Sequence, residues 1–134
     1  MAQRFSDILL NIQNRIYSYK LDNSTVAIPE FRVIKSKEAY FKNYSNAVSM
    51  YHETCQALSD LQFINFTLVR LSKEISASSE SYQARDNMSK EIRSLKDLAT
   101  SIIDSYKYRK DGLEQVVKLY SSFQYLMTST SMVE

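Results

Sequence analysis

The chain has 134 residues, enough for one domain that buries a core without disulfides or a metal. One glycine and one proline leave little of the material from which hairpins and tight turns are made, so the composition points to an all-α protein. A net charge of only +2 does not imply bulk electrostatic attraction to nucleic acid or acidic membrane, which would have to come from local patches, and no nucleic-acid partner is expected. Ten tyrosines and six phenylalanines, without tryptophan, supply bulky seam residues whose hydroxyl ends suit a thin bundle. The single cysteine, Cys55, excludes an internal disulfide and fits a reducing, cytoplasmic setting. No apolar run approaches the roughly 18 residues of a membrane span, and the first residues do not read as a signal peptide.

The first helix is expected over about residues 2–21. Phe5, Leu9, Ile12, Ile16 and Tyr19 form one stripe, widened by Ile8 and Tyr17. Asp22 to Thr25 reads as a stop, because these side chains compete for backbone hydrogen bonds. Val26 to Ile28 and Pro29 favour an extended connection, and Pro29 is also suited to a first helical position.

The second helix is expected over about 31–77. Phe41, Tyr44, Val48, Tyr51, Cys55 and Leu58 alternate three and four apart, then Leu61, Ile64, Leu68, Leu71 and Ile75 take over. The step from Leu58 to Leu61 is one residue short of the repeat, which predicts a local change in winding or a bend. Ser76 to Ser81 is polar and of low helix propensity, and a turn is placed there.

The third helix is expected over about 84–129, with Asp86 or Asn87 as its cap. From Met88 to Met127 its stripe is almost unbroken: Ile92, Leu95, Ala99, Ile102, Tyr106, Arg109, Leu113, Val116, Tyr120 and Phe123. An apolar 3.5-residue period held this long means a helix whose seam is buried against other helices. The resulting fold is an elongated antiparallel helical bundle or coiled coil, with one shorter N-terminal helix and a long helical hairpin. The short first helix cannot cover the whole hairpin, so part of the seam is expected to take another chain, either a second copy or a different helical protein. Ile102, Tyr106, Arg109, Leu113, Val116, Tyr120 and Phe123 are the expected interface. Arg109, the one charged member, should reach to solvent or pair across the seam and so set register or partner choice.

Catalytic chemistry finds little to stand on. His52 and Cys55 share a helical face, but zinc needs about four ligands, and two residues on one helix bring neither an oxyanion donor nor an orienting loop. Carboxylates alternate with cations, as in Lys90, Glu91, Arg93, Lys96 and Asp97, the pattern of a solvated helix face. Gly112 lies inside the last stripe, where it marks a close approach or a weak point. No metal or cofactor is expected, and the chain reads as a non-enzymatic scaffold or adaptor. Four Asn-x-Ser/Thr triplets, at Asn23, Asn43, Asn65 and Asn87, are what a chain rich in these residues generates by chance.

Two basic groups remain. Arg32, Lys35, Lys37 and Lys42 are the better candidate for an anionic ligand, ahead of Lys107, Arg109 and Lys110. They carry the alternative reading, a membrane-associated, BAR-like helical module that contacts acidic lipid at the membrane periphery.

Phe63-Ile-Asn65 through Ala84-Arg85, with Leu95 to Leu98 and Ser101-Ile102, resembles the distal arm of the V-shaped helical domain of ALIX-type endosomal adaptors. Phe5 to Leu10 and Tyr106 to Arg109 resemble pieces of sorting-nexin BAR helices. Each resemblance covers a few positions, and shared heptad composition produces both about equally, so neither family is assigned. Both imply a setting in endosomal or vesicle trafficking, and neither carries a functional residue over.

Overall fold

The computed structural model describes residues 2–20, 28–32 and 36–128. Its helices are α1 (Ala2–Ser18), α2 (Lys37–Ser76), α3 (Tyr82–Phe123) and a last turn, α4 (Tyr125–Thr128). No strand occurs among the described residues. The all-α fold, a long helical hairpin with a shorter N-terminal helix, is therefore present.

Local hydrogen bonding explains where each helix begins and ends. α1 stops at Ser18 rather than near Leu21, because the Ser18 hydroxyl donates to the Arg15 carbonyl at 2.6 Å and the chain tightens into i→i+3 bonds from Tyr19 and Lys20. α2 begins at Lys37, six residues later than position 31. Ser36 is its cap, its hydroxyl accepting from the Ala39 amide at 3.3 Å. Pro29 and Phe31 stay outside the helix, in a segment with no regular secondary structure. The expected turn before α3 is found, but its cap is Ser81, which accepts from the Ala84 amide at 3.2 Å. Asp86 lies within the helix and pairs with Lys90 at 3.1 Å, an i,i+4 ion pair. The expected stop at Asp22 to Thr25 lies outside the described residues.

The chain divides into two compact units. The first comprises Met1–Leu21 with Ala57–Ser105, the second Asp22–Gln56 with Tyr106–Glu134. On α2 the division falls just before the Leu58–Leu61 step, where the heptad register changes; α2 itself continues as one helix. In the first unit, Leu9, Ile12 and Ile16 of α1 are buried together with Leu61, Ile64 and Leu68 of α2 and Ile92, Leu95 and Ala99 of α3. The Tyr19 hydroxyl donates to Asp60 Oδ2 at 2.7 Å and so ties the end of α1 to α2.

In the second unit, the start of α2, the end of α3 and α4 enclose Tyr40, Ala47, Val116, Tyr120 and Met127. Here the third wall is Ile28 and Phe31. The Phe31 ring meets Tyr120 edge-on at 4.9 Å and Phe123 at 5.6 Å. Gly112 has an ordinary helical φ, so its value is room: a Cβ there would strike the Ile28 side chain. In this unit Ile28 and Phe31 thus lie where α1 packs in the first.

Candidate functional site

Most of the expected interface lies inside the chain. Leu113 is fully enclosed, Ile102, Tyr106, Val116 and Tyr120 are buried, and Phe123 is half-buried against Phe31. Burial raises the Tyr106 phenol above its usual range, partly opposed by the Arg109 charge. Arg109 does pair across the seam, but within this chain: its Nε donates at 3.3 Å to Thr54 Oγ1, which itself donates to the Met50 carbonyl at 2.7 Å. Side chains already packed against their own chain present no surface to a second one. This stretch of the seam is therefore not an open face for another chain.

The candidate anionic patch is not gathered at one point. Arg32 sits 3.6 Å from Glu30, so its charge already has a counter-ion, in water. Lys37 and Lys42 are both exposed, yet α2 turns through about 140° between positions five apart. Lys35 lies outside the described residues. In the other basic group, Arg109 is drawn inward to Thr54.

Cys55 is half-buried, and its thiol raises the Tyr51 phenol by a hydrogen-bonding contact. His52 is exposed, its ring 5.8 Å from that of Tyr51. Among the described residues, no three His, Cys, Asp or Glu side chains gather as a metal site. Of the Asn-x-Ser/Thr triplets, Asn65 is half-buried, with its Oδ1 enclosed and without a hydrogen-bond partner, and Asn23 lies outside the described residues.

The features that sequence periodicity passed over are exposed. Phe63 follows the buried Leu61 by two positions, and Phe66 precedes the buried Leu68 by two. At about 100° per residue the two rings lie within about 60° of each other, on the side of α2 turned away from the row of Leu61, Ile64 and Leu68. They stand 62% and 65% exposed, one turn apart, on the outward face of the first unit. Leu10 and Tyr17 on α1 are also exposed, at 57% and 49%. They edge an open groove of about 610 Å³ between α1 and α3, floored by Leu9, Leu95 and Leu98, with Glu91 near the N-terminal end of its α3 wall. Tyr17, expected to widen the buried stripe, is one of its rims. The available signal was the set of apolar residues left over once each stripe had been assigned.

No helix among the described residues is long and apolar enough to cross a membrane. No protein-family model, curated protein or solved structure matches the chain.

Proposed function

We propose that the protein is a non-enzymatic scaffold or adaptor subunit that holds a helical polypeptide on the exposed apolar faces of its first unit. The observation carrying this reading is the Phe63–Phe66 pair, two rings held in water by a helix whose other face is fully employed in the core. Burying such a ring is worth about 1.5–3 kcal/mol, so a partner that covers both gains substantially. Aromatic side chains clustered in this way are what protein interfaces concentrate. The groove between α1 and α3 has the form that receives one amphipathic helix. The reading shifts the partner from the buried seam to the outside of the bundle. A reducing, cytoplasmic setting fits the lone Cys55. Vesicle and endosomal assemblies are the working context on the short resemblances alone.

Position-specific photo-crosslinking in cells tests it. A photoreactive side chain at Phe66 or Tyr17 should give discrete protein adducts, and one at the exposed Lys107 should not. Adducts no more abundant at Phe66 and Tyr17 than at Lys107 would defeat the reading.

A further inference from the structure

The outward row and the groove complement each other. Along α2, Phe63, Phe66 and Arg70 lie on one exposed face, with the cation seven positions from the first ring. Along the groove's α3 wall, Glu91 and Leu98 are also seven positions apart, with Leu95 between them. At 1.5 Å per residue both spans are about 10 Å, each with an apolar stretch that ends in a charge, and the two charges are opposite. Neither Arg70 nor Glu91 has an ion pair among the described residues.

We infer that the first unit docks onto a second copy of the same chain, with the Phe63–Phe66–Arg70 row of one copy seated in the α1/α3 groove of the next. This rests on the interaction-module reading above and names its partner. Placing Arg70 against Glu91 sets the polarity: Phe63 goes to the Leu98 end, so the incoming α2 runs antiparallel to the receiving α3. The phenyl rings fill the Leu10, Leu95 and Leu98 stretch, and Ser6, Gln13 and Ser94 supply hydrogen-bonding groups at its edge. Row and groove are different surfaces. The α2 row points away from the core that α1 and α3 share, so one pair of chains cannot satisfy both contacts reciprocally. The contact is head-to-tail and adds copies in series, as a ring or an open row.

Analytical ultracentrifugation of the purified full chain tests this, up to about 100 μM, which populates any contact with a Kd below that value. The native chain should grow beyond two copies with concentration. Phe63→Ser/Phe66→Ser removes the row and Leu10→Asp/Tyr17→Asp blocks the groove; all four positions are exposed, so helical circular dichroism should be unchanged. Each variant alone should be monomeric, and an equimolar mixture should form a species of two chains and no larger one. Arg70→Glu should weaken association about tenfold or more, and adding Glu91→Arg in the same chain should restore it. A native chain that stays monomeric, or variants that fail to pair with each other, would overturn the self-docking. If the native chain is monomeric while Phe66 and Tyr17 still crosslink to a different protein in cells, only the identity of the partner is lost.

Discussion

The hydroxyl of Tyr40 donates a 2.6 Å hydrogen bond to the backbone carbonyl of Tyr120, while the two rings meet edge-on with centroids 5.1 Å apart. Both side chains are almost wholly enclosed. The bond therefore joins the first turn of α2 to the last turn of α3, where helix carbonyls have fewest intrahelical donors. Tyr40→Phe keeps the ring contact and loses the bond, and should cost about 1 kcal/mol. Tyr40→Ala removes both and should cost about 3–5 kcal/mol. Urea titration measures each as a shifted midpoint at constant slope; equal losses for the two variants would show that the ring packing contributes nothing.

Alkaline pH should test the same core. Burial first, then the neighbouring Tyr120 and Tyr44 phenols, raises the Tyr40 hydroxyl, and burial raises that of Tyr106. The folded chain thus keeps protons that the unfolded chain releases above about pH 10. The stability they contribute is fully present below that pH and is lost as pH rises through the raised folded values. Unfolding free energies measured from pH 8 upward should fall past pH 10, and the Tyr40→Phe/Tyr106→Phe chain should fall less steeply. An identical slope would mean these phenols titrate normally.

Arg109 and Thr54 should behave as a coupled pair. Thr54→Val keeps the shape of a side chain that is 3% exposed and removes the hydroxyl that accepts from Arg109 Nε. The expected cost is about 1–2 kcal/mol. The costs of Arg109→Gln and Thr54→Val should sum to more than the cost of the double variant, a coupling that a double-mutant cycle reads directly. Strict additivity would show that the 3.3 Å contact carries no energy.

Gly112 makes a prediction of sign. Replacing an interior helical glycine with alanine gains up to about 1 kcal/mol of helix propensity. Here the new Cβ meets the end of Ile28, so Gly112→Ala in the native background should be neutral or destabilising. Ile28→Val removes the obstructing Cδ1. In that background Gly112→Ala should stabilise by up to about 1 kcal/mol, and thermal melts of the four chains decide the matter.

The three main helices and their order were legible because long period-3.5 stripes admit one physical reading; the break before α4 was not. Leu61, Ile64, Leu68, Ile92, Leu95, Ala99 and Leu113 are buried as their spacing requires. Phe31 was harder to place. It sits near a proline in a segment without a period, and its contacts with Tyr120 and Phe123 are tertiary. Periodicity also identifies a buried row without saying whose atoms cover it, so Val116 and Tyr120 read equally well as an open seam or as an internal one. Phe63 and Phe66 disappear from such a reading because they fall between the rows. Their spacing to Arg70 gains meaning only beside the groove holding Glu91, which no local pattern brings into view.

The wall formed by Ile28 and Phe31 has a consequence for synthesis. Phe31 leaves the ribosome roughly ninety residues ahead of Tyr120, the ring it must meet. At about 5–20 residues per second, its apolar side chain waits on the order of ten seconds for that partner. A nascent chain stalled before Gly112 should therefore expose Ile28 and Phe31 to chaperones and proteases even after the turn before α3 has formed, and lose that exposure once the last turns of α3 emerge.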